Sequence, residues 1–269
     1  MKINIIGGRG VMGQIHKPVF EKAGHEVYVT GRESKLTPIE AAKTCDVTIV
    51  SVPIDYTGKT IERVAPYAPA IMDFTSLKRF PLEAMARYAG PDAEIGGLHP
   101  SYGAVDSIQG RTIFYCRTKR SGKACESVVS ALKMGGAEIV EVSPEDHDFL
   151  IGGLAQYARM ALLETYMKLL QRSHVDFKSF YAACPPPTRV LLDLVARQAD
   201  EDNDKLIRDM RTYNPYLKPV RRTMTRCLHD VLRKGMSPKD IRRMFGKKEL
   251  ELAQKSAITM INRNLKKKS

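Results

Sequence analysis

Gly8-Arg9-Gly10-Val11-Met12-Gly13 spaces three glycines as GxGxxG. Set between a strand and a helix, such a turn brings backbone N–H groups against a pyrophosphate. Gly8 would permit the tight turn, Gly10 the approach of the phosphates and Gly13 the packing of helix on strand, with Val11 and Met12 opening the helix. Cofactor choice falls to the end of the next strand, where an acid binds the ribose of NAD and an arginine the 2′-phosphate of NADP. That strand runs into Gly31-Arg32-Glu33-Ser34-Lys35. Arg32, with Ser34 and Lys35 beside it, favours NADP; Glu33 keeps NAD as the alternative. His99, placed before Pro100 at a strand end, is a candidate proton acceptor or a packing residue.

The elements that would position these groups alternate through the first half. Strands are predicted at Lys2–Ile6, Glu26–Thr30, Val47–Val52, Ala70–Phe74, Ile95–Leu98, Thr112–Cys116 and Glu138–Val142. Helical spacing falls at Val11–Ala23, Ile54–Val64, Pro81–Tyr88 and Gly122–Met134. This alternation predicts an α/β domain over residues 1–150, with a parallel sheet covered on both faces. From Pro144 the strand signal stops. Helices are predicted at Pro144–Gln171, Thr188–Ala199, Asp202–Asn214, Tyr216–Arg233, Pro238–Phe245 and Lys248–Leu265, so residues 151–269 read as an all-helical domain.

Charge divides at the same place. Residues 1–150 carry 18 basic and 18 acidic side chains, while residues 151–269 carry 25 and 12, the whole of the net +13. Hydrophobic residues at 43% argue against disorder. No apolar run approaches the roughly 20 residues of a membrane span, and Met1–Gly8 lacks the pattern of a signal peptide. Cys45, Cys116, Cys125, Cys184 and Cys227 are odd in number, without CxxC spacing, and point to a reduced, cytoplasmic protein with no metal site. Nucleic acid is disfavoured as a partner, because Trp is absent, aromatics are 7%, and no recognition motif accompanies the basic half.

Four further stretches stand in order: Val50-Ser51-Val52-Pro53-Ile54, Asp73-Phe74-Thr75-Ser76-Leu77-Lys78, Gly97-Leu98-His99-Pro100-Ser101-Tyr102-Gly103 and Glu145-Asp146-His147-Asp148. Together they resemble the prephenate dehydrogenase family of tyrosine biosynthesis, which also includes arogenate dehydrogenases. The resemblance continues more weakly through Pro187-Thr188-Arg189 and Val195-Ala196-Arg197. It implies a Rossmann dinucleotide-binding domain followed by an all-helical dimerisation domain, and hence a homodimer. The implied activity is the NAD(P)-dependent oxidative decarboxylation of prephenate, a dicarboxylate, to 4-hydroxyphenylpyruvate. It further implies that His99 accepts a hydrogen bond from the C4 hydroxyl and that Ser76 orients His99. Ser51, Val52 and Pro53 would line the cofactor, while Arg197, Arg189, Lys78 and Gln156 would hold the substrate. His16, His25, His147, His174 and His229 are read as structural or surface residues.

Two departures bear on the substrate. Ser101-Tyr102-Gly103-Ala104 stands where many members have Met-Phe-Gly-Pro, and Gln156 stands where members carry a second histidine. Arogenate and 4-amino-4-deoxyprephenate are therefore alternative substrates. A β-hydroxyacid dehydrogenase is the alternative enzyme, but the helix from Pro144 has only Lys168, far from its start, to serve as acid. Apolar Leu228, Val231, Leu232, Ile241, Met244, Leu250 and Leu252 exceed what a short helical domain can hide, which also predicts a dimer.

Overall fold

A seven-stranded sheet forms the centre of the first half, in the order β2-β1-β3-β4-β5-β6-β7. The computed structural model describes residues 1–196 and 201–266. Its strands are β1 (Lys2–Ile6), β2 (Glu26–Thr30), β3 (Val47–Val50), β4 (Ala70–Asp73), β5 (Glu94–Pro100), β6 (Thr112–Arg117) and β7 (Glu138–Glu141). Every residue of β3 and β4 is buried, as expected of central parallel strands covered on both faces. The helices of this half are α1 (Val11–Lys22), α2 (Pro38–Thr44), α3 (Ile54–Val64), α4 (Arg79–Tyr88) and α5 (Lys123–Met134). In α1 the buried residues Gly13, His16 and Phe20 recur at helical spacing and form the stripe that faces the sheet.

The sheet departs from the all-parallel expectation at one pair. β5 and β6 run antiparallel, with Leu98 opposite Tyr115 and His99 opposite Phe114. The segment 101–111 joins them without a crossover helix, which is what permits the reversal. α2 was not expected from apolar periodicity. It is fixed instead by a capping box, in which Thr37 accepts from Glu40 N and the Glu40 side chain accepts from Thr37 N.

By its internal contacts the chain divides into two units. One comprises Met1–Gly152 with Asp209–Asn214, the other Gly153–Arg208 with Pro215–Ser269. Within the first unit, Asn214 Nδ2 donates to the Asp148 carbonyl at 2.9 Å, and the Tyr213 ring lies 5.8 Å from that of Phe80. These contacts carry a short piece of the later chain into the α/β unit, so a single cut near residue 150 does not describe the division.

The expected long helix from Pro144 is three segments: a single turn, α6 (Pro144–Asp146), a π-helix (His147–Ala158), and α7 (Arg159–Arg172). Its start is as expected, with Ser143 accepting from Asp146 N and Pro144 in the first turn. In this widely wound stretch the Asp148 carbonyl accepts from Asn214 Nδ2. The Gly152-Gly153 pair, weak in α propensity, offers little resistance.

The second unit continues with α8 (Phe177–Ala183), α9 (Pro186–Ala196), α10 (Glu201–Tyr213, whose last turn belongs to the first unit), α11 (Leu217–Lys234), α12 (Pro238–Met244) and α13 (Lys247–Lys266). Its small cores centre on Tyr157, Leu217 and Val220, and on Leu170, Cys184 and Leu192. Leu228, Val231, Leu232, Ile241, Met244 and Leu252 remain exposed. Among the described residues no helix is long and apolar enough to cross a membrane.

Candidate active site

The glycine turn has the geometry a dinucleotide needs, and its positive-φ residue is Gly7. Gly7 has φ +80°, and a Cβ there would lie 2.3 Å from the Ser51 carbonyl oxygen. At Gly13 a Cβ would lie 2.2 Å from the backbone of Gly8, so the start of α1 packs directly on the turn. Gly10 is the N-cap of α1 and no side chain caps it. The first N–H groups of α1, including those of Val11 and Met12, are thus free of a competing side-chain cap at an anion's place. Ser51, Val52 and Pro53 follow β3, and Ser51 N donates to Ile6 O at the end of β1. They flank the point where strand order reverses between β1 and β3, the usual dinucleotide crevice of such sheets.

At the end of β2, Arg32 is exposed. Glu33, also exposed, lies 3.8 Å from Arg9 of the glycine turn. Ser34 is otherwise engaged: its hydroxyl accepts from Gly31 N at 3.0 Å and lies 2.6 Å from the Leu36 carbonyl, so it staples its own loop. The expected hydroxyl contribution to a cofactor is therefore occupied by backbone in this structure.

Around β5 the first unit assembles a dry polar cluster. His99 is buried on β5, and its Nδ1 lies 2.8 Å from His147 Nε2. His147 Nδ1 lies 2.9 Å from Asp148 Oδ1. Asp148 in turn accepts from Lys78 N at 2.7 Å and Arg79 N at 3.0 Å, the two N–H groups that open α4. Burial, then the nearby His147 and Lys78, holds the His99 pKa well below the usual histidine range. Burial likewise lowers that of His147. Both rings are neutral at physiological pH.

Lys78 corrects the expectation that it binds substrate. It is fully buried, with Nζ 2.5 Å from Asp73 Oδ2 and 2.7 Å from the Leu98 carbonyl. An ammonium with two buried partners is a structural charge, closed to a substrate carboxylate. Thr75 N also donates to Asp73 Oδ2, while Asp73 Oδ1 has no partner among the described residues. Ser76 is half-buried and makes no side-chain hydrogen bond among the described residues. The side chain in hydrogen-bond contact with the His99 ring is that of His147, read from the sequence as a structural or surface residue. The signal was present in Glu145-Asp146-His147-Asp148, where an acid directly follows the histidine.

Tyr102 is another residue whose part only the structure shows. Its hydroxyl lies 2.9 Å from His16 Nε2, and His16 Nδ1 lies 2.7 Å from the Met12 carbonyl. A carbonyl can only accept, so Nδ1 carries the proton and Nε2 accepts from Tyr102. The departure from phenylalanine at position 102 thereby ties the loop after His99 to α1. Burial pushes the His16 pKa down to about 4, so this link is made by a neutral ring.

In the helical unit, Arg189 is buried, donates from Nη2 to the carbonyls of Tyr181 and Ala182, and stacks over the Tyr181 ring. It closes the C-terminal end of α8, which corrects the expectation of a free substrate-binding arginine; its Nε has no partner among the described residues. Gln156 Oε1 is likewise buried without a partner among the described residues. Arg197 lies outside the described residues.

Comparison with known proteins adds an independent line. Residues 10–141 match the family model described as prephenate dehydrogenase, nucleotide-binding domain. A probable arogenate/prephenate dehydrogenase of Methanocaldococcus jannaschii is 29% identical over 246 residues, covering 83% of this chain and 54% of that protein. A T-protein of Haemophilus influenzae is 27% identical over 205 residues, covering 75% and 53%. The chain thus spans about half the length of the curated relatives it matches. The fold is shared with the crystal structure of prephenate dehydrogenase from A. aeolicus in complex with hydroxyphenyl propionate and NAD+, at TM-score 0.67 and 14% identity, over 95% of this chain and 98% of that one.

Proposed function

We propose, from the premise that the chain belongs to the prephenate/arogenate dehydrogenase family, that it catalyses an NAD(P)-dependent oxidative decarboxylation of prephenate or arogenate. The observation that carries this reading is a neutral, buried His99 in the same unit as a glycine turn shaped for a dinucleotide. When bound, the nicotinamide supplies the hydride acceptor. His99 accepts the hydrogen bond, and then the proton, of the C4 hydroxyl as the C4 hydride departs. The C1–carboxylate bond breaks, its electron pair enters the ring, carbon dioxide leaves, and the proton held on His99 returns to the C4 oxygen of the aromatic product. A ring that is unprotonated at rest can serve as acceptor without first losing a proton.

Arg32, open to solvent at the end of β2, supports NADP as the preferred cofactor, with Glu33 drawn towards Arg9. For the substrate carboxylates Arg197 and Gln156 are the proposed partners, and Lys78 and Arg189, engaged with buried partners of their own, are not. The exposed apolar residues of α11, α12 and α13 support a homodimer formed by the helical unit.

The test is the rise in reduced-nicotinamide absorbance with prephenate and with arogenate, each with NADP and NAD. Turnover with either substrate is expected, faster with NADP, and His99→Ala should lower kcat by about 100- to 10,000-fold. No turnover with either substrate and either cofactor would sink the reading.

A further inference from the structure

His147 and Asp148 make a chain of hydrogen bonds whose direction can be worked out from its closed end. Asp148 receives two backbone N–H donors from the start of α4, Lys78 N and Arg79 N. A carboxylate so placed is an acceptor, and helix N-termini favour the anion. The 2.9 Å contact from Oδ1 to His147 Nδ1 is then donated by the imidazole. A neutral imidazole that carries its proton on Nδ1 has a bare Nε2, so His147 Nε2 must accept across the 2.8 Å contact with His99. His99 consequently carries its proton on Nδ1. Its Nε2 keeps a lone pair.

Of the groups facing this chain, Lys78 opposes a charge on either ring, while Asp148 and Asp73 favour one on His147 and are outweighed by burial. Across from the two rings stand the Lys78 ammonium and Asp73 carboxylate of the β4–α4 segment. On β6 the Phe114 ring packs 6.1 Å from His99 and 5.5 Å from His147, edge-on to the latter, and offers no hydrogen bond. Asn214 Nδ2 donates to the Asp148 backbone carbonyl, and the carboxylate oxygens accept from Lys78 N, Arg79 N and His147. His147 and Asp148 are both buried, so water does not compete for the chain.

We propose that His147 is a positioning residue which, backed by Asp148, fixes His99 in the tautomer with Nε2 free to accept a proton. The use of that lone pair for a substrate hydroxyl rests on the oxidative decarboxylation reading; the tautomer does not. During turnover His99 becomes positively charged, and its Nδ1–H still donates to His147, whose own proton still points at Asp148. No proton need move along the chain.

The experiment pairs two readouts on the full chain. Histidine-labelled ligand-free protein, observed by 15N NMR from pH 6 to 8, should show His99 protonated at Nδ1 and bare at Nε2. His147→Leu should lose that fixed tautomer and lower kcat by about 10- to 100-fold with KM changed less than about threefold. His147→Gln places an amide oxygen where Nε2 stood, and should restore both the tautomer and kcat to within about threefold. A wild-type His99 protonated at Nε2 overturns the proposal, as does a tautomer unchanged in His147→Leu, or a His147→Gln variant that folds and is equally impaired. Should the leucine variant not fold, the wild-type spectrum and the glutamine variant decide. The expected tautomer together with silence towards both substrates would leave the positioning chain standing and remove the substrate reading instead.

Discussion

Two groups of charged side chains in the nucleotide-binding unit are built in opposite ways. Beside β5, Lys78 and Asp73 are fully buried and 2.5 Å apart, with further partners on Leu98 and Thr75. At the end of β2, Arg9 and Glu33 are 71% and 88% exposed and 3.8 Å apart. The inner charges have fixed partners, so altering one leaves another stranded in a dry interior. The outer charges are hydrated, screened and free to meet a ligand. A cation and a carboxylate are thus locked by their partners where both are buried, and open to a ligand where both are exposed.

The comparison breaks most sharply at Lys78. Lys78→Met removes the ammonium and leaves the Asp73 carboxylate buried, at a cost of about 3–5 kcal/mol in stability. Chemical denaturation at pH 7 measures it. The double variant Asp73→Asn/Lys78→Met should recover much of the loss, because no buried charge is then stranded. Burial already raises the Asp73 pKa, so the single variant should suffer less at low pH, where the carboxyl is neutral. A fully stable Lys78→Met protein would show that the pair is not the buried charge described.

How much of this was legible beforehand depends on sequence distance. α3 was predicted with its observed ends because Ile54, Thr57, Ile61 and Val64 mark one helical face within a single segment. The dinucleotide turn was legible for the same reason, all its glycines lying within seven residues. The reversal of β6 was not, since strand periodicity says nothing of pairing direction. Lys78 read as a substrate-binding cation because its burial depends on Asp73 five residues before it and on the Leu98 carbonyl twenty after. His147 meets His99 across 48 residues, and no local pattern announces such a contact.

A middle-sized effect follows from the buried histidines. His16 is neutral in the folded protein down to about pH 4, whereas in the unfolded chain it takes a proton below about 6.5. Between those values the unfolded state binds more protons, so stability falls as pH falls. From pH 7 to 5 the loss for His16 alone is about 2 kcal/mol. The lowered pKa values of His99 and His147 act in the same direction, and the raised Asp73 opposes them. Denaturation midpoints at pH 7, 6 and 5 measure the slope. His16→Gln, which does not titrate, should flatten it, and an unchanged slope would refute the assignment to His16.

The smallest effect on stability belongs to the outer pair, and there the comparison sharpens into one of function. Glu33→Gln removes the partner of Arg9, yet both side chains are hydrated and their attraction is screened in about 0.15 M salt. Its melting temperature should equal that of wild type within error. The ratio of NADP to NAD affinity should rise, because the acid able to hold a ribose hydroxyl, and to repel a 2′-phosphate, is gone. Arg32→Ala should move the ratio the other way, by about tenfold, the worth of one charge-assisted hydrogen bond. Cofactor titrations followed by fluorescence give both ratios without turnover. If neither substitution moves the ratio, selection of the 2′-phosphate does not reside at the end of β2, and Arg9 in the glycine turn becomes the next residue to replace.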